Sequence, residues 1–549
     1  MRFFRALFKL IIVMIFLTIA YGVCALTPYY IETTHYEKNE TRVVIDDNEY
    51  TKNLPDVAMF ISQKAMLSFD TIKKYFYEYI FFDEKYETVI VAKDQTVMKM
   101  PVNKNEILVN GNKKNITVPV QYINQKLYIP VKELEEILKL KVDINEKIIV
   151  TTKDADYFSV KVDNSIHTKK YKKDFCMTTD VVKKGETIYI FDDYDAKNEE
   201  DYLWVRTENG SFGYVKKKNI LAREYLHISN DEIEKTPAKI SLIWEYATNG
   251  SPDRSNQAKR DGIRIISPTW IYVNDEKGNL KNTISSSYIT WAKAVGYEIW
   301  PTIKNDAIGI NKTSLLLNDM NYRQSFIDNV IALVKKYNFK GINLDFENMY
   351  MKDKEVFAQL VRELSCALRA NGITSSVDVN VPDGSENWSL CYDSKAISCA
   401  VDYTILMAYD QHGSSSKKAG SVASLDWVEL NLQKMISRDG IDSDKLVVGV
   451  PFYSRFWRIR NGVVVSTSTL TMKRAKELMD EHSDSVEWLD ESGQYVVKYK
   501  DRNDDIEIWV ENEDSLKEKL KLISKYKLAG FAAWRWGFEN EETWNIIGK

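Results

Sequence analysis

The chain of 549 residues contains few of the side chains that hold metal ions or build disulfide frameworks. It has five His and five Cys, and no two of them stand at the spacing of a zinc site. The cysteines are scattered, so no obligatory disulfide is predicted, although Cys391 and Cys399 are close enough in sequence to pair. We therefore expect neither a metal nor another cofactor.

A strong excess of charge is also missing. The formal net charge is −4, which argues against nucleic acid as a partner. Hydrophobic residues make up 44% of the chain, so large cores can form. The length exceeds that of one compact domain and suffices for three or four.

The N-terminus predicts the compartment. Arg2, Arg5 and Lys9 precede an apolar run from Leu10 to Leu26. Residues 1–26 are therefore either a signal peptide that is cleaved or a short membrane anchor through residues 10–26. Both alternatives place the rest of the chain outside the cytoplasm, as a secreted or membrane-anchored protein.

Residues 37–153 contain a weak internal repeat, because Gln63–Leu67 corresponds to Gln125–Ile129. Each half is predicted as two strands, a short helix and two more strands, with Glu106–Val109 as a strand of the second half. The pattern Tyr128-Ile129-Pro130-Val131 before an amphipathic helix resembles the stalk-type domain named after the N-terminal region of copper amine oxidases. The segment has no metal-ligand cluster, so a spacer or wall-binding module without copper is expected.

Residues 157–222 are predicted as a small all-β domain of short strands. Asn209-Gly210 joins two apolar-rich runs, which is a strong hairpin signal. The segment Trp204–Val215 resembles the bacterial SH3-type, wall-associated domains. This resemblance implies either a targeting module that binds peptide or peptidoglycan, or a plain spacer. A charged linker at residues 223–236 ends at Pro237.

Residues 237–549 alternate strands with helices, which favours a parallel sheet. Eight such units predict a (β/α)₈ barrel, with its chemistry at the C-terminal ends of the strands. The predicted strands are Ile240–Trp244, Ile263–Pro268, Glu298–Ile303, Gly341–Phe346, Ser375–Val381, Tyr403–Met407, Leu446–Pro451 and Gly530–Trp534.

The fourth predicted strand carries the most informative pattern in the chain. Side chains alternate between the two faces of a strand, so Gly341, Asn343, Asp345 and Glu347 share one face. The other face is apolar. Carboxylates in register at the end of a barrel strand indicate a site for acid/base chemistry rather than a solvated strand end.

This segment resembles the catalytic strand of the family 18 glycoside hydrolases, whose pattern is Asp-Gly-x-Asp-x-Asp-x-Glu. Here Lys340 and Asn343 replace the first two acids, while Asp345 and Glu347 stand in place. The variant is similar to the branch with the bacterial spore cortex-lytic N-acetylglucosaminidases. The resemblance covers about the last 310 residues, one barrel's worth.

The resemblance implies roles for three catalytic residues. Glu347 would be the general acid. The 2-acetamido oxygen of the substrate, rather than a second carboxylate, would attack the anomeric carbon. Asp345 would hold that acetamide and stabilise the oxazolinium, with Asn343 hydrogen-bonded to Asp345. Tyr409, in Met407-Ala408-Tyr409-Asp410, would donate to the acetamido oxygen.

Further residues are implied as sugar contacts. Trp534 matches the Trp under the cleaved sugar, and Asp410 follows the catalytic Tyr. Arg455 fits either a sugar contact or a structural ion pair. The full set of expected substrate-binding residues is Asn343, Asp410, Tyr453, Arg455, Trp534, Glu539 and, as a rim platform, Trp270.

Together these patterns predict an extracytoplasmic glycosidase that acts on peptidoglycan or spore cortex by a retaining, substrate-assisted mechanism. A wall is favoured over chitin because the chain joins an anchor or signal to two small modules and has no recognisable chitin-binding domain. A chitinase is the alternative enzyme. A catalytically inactive glycan-binding wall protein is the alternative from another class, although Glu347 is present.

Overall fold

The computed structural model describes residues 2–30, 42–45, 48–49, 57–145, 148–152, 157–190, 201–220, 226–228 and 239–548. The chain divides into two compact units. One comprises residues 1–80, 100–107 and 114–234, and the other residues 81–99, 108–113 and 235–549. Of the predicted linker 223–236, only Leu226–Ile228 is described, as a strand; the rest of it, with Pro237, lies outside the described residues.

One long helix, α1 (Arg2–Tyr30), contains the apolar N-terminal run. Its stretch Phe4–Thr27 is long and apolar enough to cross a membrane. A signal sequence has the same length and composition, so the anchor and the cleaved signal remain alternatives.

The predicted repeat appears as two hairpins that pair with each other. They turn at Ser62 and Gln63 and at Asn124 and Gln125, all with positive φ, the geometry of tight hairpin turns. The predicted strand Glu106–Val109 pairs elsewhere, so the hairpin partner comes from a later segment. The elements are β1 (Arg42–Ile45), β2 (Asn48–Glu49), β3 (Ala58–Ile61), β4 (Lys64–Ser68), α2 (Phe69–Thr71), β5 (Phe81–Asp83), β6 (Thr88–Lys93), β7 (Thr96–Pro101), β8 (Glu106–Val109), β9 (Asn112–Asn115), β10 (Gln121–Ile123), β11 (Lys126–Pro130), α3 (Val131–Leu138), β12 (Lys141–Asn145) and β13 (Ile148–Thr152).

The next segment is all β. It forms one antiparallel sheet in the order β16-β15-β19-β18-β17-β14-β20, and Gly210 takes a φ of 73° in the predicted hairpin turn. Its likeness to bacterial SH3-type domains stays a prediction. The strands are β14 (Tyr157–Lys161), β15 (Ile166–Lys169), β16 (Thr178–Val182), β17 (Thr187–Ile190), β18 (Tyr202–Thr207), β19 (Phe212–Lys216) and β20 (Leu226–Ile228).

All eight predicted barrel strands are present, and the third is interrupted at Trp300 and Pro301. The strands of this region are β21 (Ile240–Glu245), β22 (Ile265–Pro268), β23 (Ile271–Val273), β24 (Leu280–Asn282), β25 (Glu298–Ile299), β26 (Thr302–Lys304), β27 (Gly341–Asp345), β28 (Thr374–Asn380), β29 (Tyr403–Met407), β30 (Leu446–Pro451), β31 (Tyr453–Arg460), β32 (Val463–Thr471), β33 (Val486–Leu489), β34 (Gln494–Asp501), β35 (Asp504–Val510) and β36 (Gly530–Trp534). The barrel closes because β22 pairs with β25, and β26 pairs with β27.

Helices follow the strands as in a (β/α)₈ barrel. They are α4 (Ser286–Ala294), α5 (Gly309–Leu317), α6 (Met320–Tyr337), α7 (Lys354–Arg369), α8 (Ser394–Ala400), α9 (Leu425–Gln433), α11 (Glu513–Tyr526) and α12 (Glu542–Ile547), with α10 (Met472–Glu481) in the insertion described next. The barrel interior is packed with apolar side chains, among them Leu242, Trp244, Ile405 and Val447.

A subdomain that was not predicted from the sequence lies between the seventh and eighth barrel strands. β31 to β35 form an antiparallel sheet in the order β32-β31-β35-β34-β33, with α10 packed against it. This insertion matters for the site because its first strand, β31, starts at Tyr453 and carries Arg455.

The barrel unit begins at residue 235, near the predicted boundary at residue 237, but it also includes two earlier segments from the predicted stalk domain. Residues 81–99 and 108–113 pack with the barrel rather than with the preceding modules. Arg323 of α6 is buried and forms ion pairs with Asp83 at 3.1 Å and with Glu363 at 3.4 Å. Lys99 pairs with the same Glu363 at 3.4 Å. Two segments from the stalk region thus pack against helices α6 and α7 of the barrel.

Candidate active site

The fourth strand, β27, aims its polar residues into the barrel. A side chain at Gly341 would meet the Trp300 ring at 2.5 Å, so glycine lets the strand approach the third one. Asn343 is fully buried, and its Oδ1 accepts a hydrogen bond from Trp244 Nε1 at 2.9 Å. Asp345 ends the strand, two residues before Glu347. The predicted one-face arrangement is therefore the inner face of the barrel.

An asparagine that the sequence analysis missed fixes the backbone of Glu347. The Glu347 N–H donates to Asn305 Oδ1, and Asn305 Nδ2 donates to the Glu347 carbonyl, both at 2.9 Å. Asn305 is itself buried and lies directly after β26. This two-way contact holds the peptide from which the Glu347 carboxyl group projects.

The pKa of Asp345 is raised to about 8. Burial is the largest cause, and the negative charge of Glu347 adds to it. The Lys304 ammonium group acts in the opposite direction. Asp345 Oδ1 is buried and accepts no hydrogen bond from any group in the described part of the chain.

Burial also raises the pKa of Glu347. The positive charge of Lys304 lowers it, and so does a hydrogen bond from Asn380 Nδ2 to Glu347 Oε1 at 3.5 Å. A raised carboxyl pKa favours the protonated form, which a general acid needs near neutral pH.

Asn343 forms no hydrogen bond with Asp345, the partner predicted for it. Its Nδ2 donates to Asp378 Oδ1 at 2.7 Å and to Ser376 Oγ at 3.2 Å. These two residues lie on the neighbouring strand β28, where Ser376 is the register partner of Asn343. The predicted hydrogen bond from Asn343 to Asp345 is thus replaced by one to a third carboxyl group.

Asp378 and Lys304 are site residues that the sequence analysis missed. Asp378 is 1% exposed, and its pKa is raised well above the usual value, first by burial and then by the charge of Asp345. Lys304 is the register partner of Asp345 on β26 and forms an ion pair with Asp306 at 3.2 Å. An acid between two valines in a predicted barrel strand was the available signal for Asp378.

Tyr409 lies beside the acids. Its ring packs edge-on against Trp244 at 6.5 Å and against Tyr453 at 6.5 Å. The pKa of Tyr409 is raised well above its usual value by burial and by the charge of Asp378. Its hydroxyl group therefore stays protonated and can donate a hydrogen bond.

A cluster of polar side chains forms the rim of the candidate site next to Tyr409. Tyr453 donates to Asp410 Oδ1 at 2.8 Å, and Arg455 Nη2 donates to the same oxygen at 3.2 Å. The Asp410 side chain is half exposed, whereas Arg455 is buried. Of the two roles that the sequence left open for Arg455, the structure shows the ion pair with Asp410.

The tryptophans divide into two groups. Trp534 is half-buried and packs against Trp244 at 6.1 Å, next to Tyr409 in the barrel interior. Trp270 was predicted as a rim platform, but it is fully buried against Tyr288 and Phe339. It offers no surface to a sugar, because its strand end turns this side chain towards the helices instead of the cleft.

The structure groups Glu539 with arginines rather than with Asp345 and Glu347. Its carboxylate accepts a hydrogen bond from the Gly537 N–H at 2.7 Å. Burial raises the pKa of Glu539, and the charges of Arg254 and Arg260 lower it. Arg254 is bound in turn to Glu245 at the end of β21.

Two family models match parts of this chain. Residues 307–539 match the family model for glycosyl hydrolases family 18, and residues 36–153 match that for the copper amine oxidase N-terminal domain. The Bacillus subtilis glycosylase YvbX is 29% identical over 314 residues, which are 55% of this chain and 90% of that protein.

Two further similar proteins are lytic enzymes by name. The cortical fragment-lytic enzyme of Bacillus subtilis is 22% identical over 302 residues, which are 53% of this chain and 65% of that enzyme. The crystal structure of the Bacillus megaterium spore cortex-lytic enzyme SleL superposes with a TM-score of 0.51, at 19% identity, over 62% of this chain and 76% of SleL. The superposition shows that the fold is shared.

Proposed function

We propose that this chain, which carries a family 18 glycosyl hydrolase domain at residues 307–539, cleaves β-1,4 bonds next to N-acetylglucosamine in peptidoglycan, with spore cortex as the favoured substrate. The observation that carries the proposal is the half-buried pair Asp345 and Glu347, both with raised pKa values, at the end of the fourth barrel strand. Tyr409 and Trp534 lie beside it. The similarity to cortex-lytic enzymes supports the choice of substrate.

Glu347 starts the reaction as the general acid. It protonates the glycosidic oxygen while the acetamido oxygen of the substrate attacks the anomeric carbon. Asp345 accepts a hydrogen bond from the acetamide N–H and stabilises the positive charge of the oxazolinium. Tyr409 donates to the acetamido oxygen and holds it in line for attack.

Water then completes the reaction. Glu347, now a carboxylate, removes a proton from the water that opens the oxazolinium, and both groups return to their starting states. Lys304 keeps the cluster from carrying only negative charge. This sequence uses one carboxyl group for proton transfer and one for charge stabilisation.

The hydrolysis itself can be tested on two glycans. Purified spore cortex and chitin oligomers are incubated with the full chain, and the products are reduced with borohydride and read by mass spectrometry. Cleavage after N-acetylglucosamine leaves a reduced glucosamine end, whereas cleavage after muramic acid leaves a reduced muramic acid end. Release from cortex with glucosamine ends is expected; muramic acid ends, or action on chitin alone, would refute the assignment.

The first product should have the β configuration. Attack by the acetamide inverts the anomeric carbon, and attack by water inverts it again. A proton NMR time course on a GlcNAc oligomer reports the anomer that forms before mutarotation. The matched substrate with a hydroxyl group in place of the acetamide should not be cleaved at a useful rate. An α anomer formed first would exclude participation of the acetamide.

Replacing Lys304 with Met should move the pH profile of kcat/KM to higher pH. The ammonium group lowers the pKa of both Asp345 and Glu347, so its loss raises both. The acidic and the basic limb of the profile therefore both shift upward. Lys304→Arg keeps the charge and serves as the control. An unchanged profile in Lys304→Met would show that this ammonium group does not act on the acids.

We further propose that the enzyme works outside the cytoplasm at the cell wall or spore. The apolar stretch Phe4–Thr27 supports export, either as an anchor or as a signal. The match of residues 36–153 to a stalk-type domain and the all-β unit that follows support a role in placing the barrel at an insoluble glycan.

A further inference from the structure

Three carboxyl groups from two neighbouring strands meet in the barrel interior. Asp378 is buried, whereas Asp345 and Glu347 are half-buried. Like charges in a buried cluster oppose each other's ionisation, so such a cluster keeps at least one proton at neutral pH. The charged and titratable groups that face Asp378 are Asp345, Glu347, Lys304 and Tyr409, with Asp306 next to Lys304.

Asn343 fixes the orientation of Asp378. Trp244 Nε1 can only donate, so Asn343 presents its oxygen to Trp244 at 2.9 Å. Thr302 Oγ1 donates to the same oxygen at 3.4 Å. The Asn343 amide group must therefore point at Asp378, whose Oδ1 accepts at 2.7 Å. This leaves the second oxygen of Asp378 to carry any proton.

One carboxyl oxygen of Asp345 lacks a hydrogen-bond donor among the described groups. Its Oδ1 is buried and receives no hydrogen bond from any group that the structure describes. A buried acceptor without a donor is destabilising. A protonated carboxyl group on the next strand, inside the same cluster, is the donor that this oxygen lacks.

We propose that Asp378 is a positioning acid, supplied by the fifth barrel strand, that shares one proton with Asp345. The proposal rests on the proposed glycosidase function of the same site. The sequence pattern that resembles family 18 has an acid where Asn343 stands. Here Asn343 instead holds an acid that comes from β28.

The shared proton lets Asp345 change its charge during the reaction. As positive charge develops on the oxazolinium, the proton moves fully onto Asp378 and the negative charge concentrates on Asp345. No proton enters or leaves the pair in this step. The pKa directions agree, because burial and the charge of Asp345 raise that of Asp378 well above its usual value.

The test removes the acid from the fifth barrel strand and then restores one on the fourth strand by substitution. Asp378→Asn should lower kcat on a GlcNAc oligomer at least about tenfold and should alter the alkaline limb of its pH profile, because an amide cannot share the proton. The double variant Asn343→Asp with Asp378→Asn returns an acid to the fourth strand and should recover most of the lost kcat. Asp393→Asn, at the cap of α8, is the matched control and should leave kcat unchanged.

The outcomes separate this proposal from the proposed function. If the wild-type chain cleaves the oligomer but Asp378→Asn keeps both its kcat and its pH profile, Asp378 is structural and only the present proposal falls. A second outcome would also overturn proton sharing. In it, Asp378→Asn loses activity, and the double variant has the circular dichroism spectrum of the wild-type chain but recovers none of the lost kcat. A wild-type chain without any hydrolysis refutes the glycosidase assignment itself. Should Asp378→Asn fail to fold, the double variant alone decides by its kcat.

Discussion

Glu347→Gln is expected to abolish hydrolysis and to leave glycan binding largely intact. Glutamine has nearly the same shape and keeps the contacts of the backbone with Asn305, but it has no proton to give to the leaving group. Loss of a general acid lowers the rate by roughly 10²–10⁴-fold. The measurement pairs turnover of a GlcNAc-containing oligomer with retention of the same oligomer on immobilised protein.

The matched control for this variant is Glu477→Gln. Glu477 is on α10, where it is half exposed and paired with Arg474, so its replacement should leave the turnover unchanged. A Glu347→Gln protein that keeps more than a few per cent of the wild-type rate would contradict the assignment. Loss of binding together with turnover would instead indicate that Glu347 holds the substrate.

The barrel and its central acids could be predicted because their signals are local. Each barrel strand is a short apolar run between helical segments, and the alternation along β27 places Asp345 and Glu347 on one face without further information. The glycine at 341 and the order of strands follow from the same pattern. The match of residues 307–539 to the family model for glycosyl hydrolases family 18 agrees with the resemblance predicted from this strand.

The rest of the site depends on pairing between strands. The partner of Asn343 is set by the register of β27 against β28, which places Ser376 opposite Asn343 and Asp378 next to it. Sequence order alone does not give this register. Trp270 shows the same limit, because whether a tryptophan at a strand end faces the cleft or the helices is decided by how its strand enters the barrel.

Contacts between residues far apart in the chain could not be predicted from the sequence patterns either. Asp83 and Arg323 are 240 positions apart along the chain, and no periodicity links them. The repeat in residues 37–153 suggested a self-contained module. The structure instead assigns residues 81–99 and 108–113 to the same compact unit as the barrel.

Asp83→Ala should therefore destabilise the barrel unit, although it lies far from the active site in sequence. Its carboxylate pairs with Arg323 at 3.1 Å, and their side chains are 6% and 1% exposed. Removing one partner of a buried ion pair costs about 3–5 kcal/mol; Glu363 remains beside Arg323, so the lower end is expected. Urea unfolding followed by tryptophan fluorescence measures the change, because the barrel contains Trp244, Trp270 and Trp300.

Lys85→Ala is the control on the same segment. Lys85 also reaches α6, through Asp319, but its side chain is 60% exposed, and exposed ion pairs contribute little to stability. The urea midpoint should fall clearly in Asp83→Ala and hardly at all in Lys85→Ala. By the same reasoning, a chain that begins at Lys239 lacks Asp83 and Lys99, which pair with Arg323 and Glu363, and should unfold at lower urea than the full chain. Equal midpoints for that truncated chain and the full chain would show that the barrel folds without the two stalk segments.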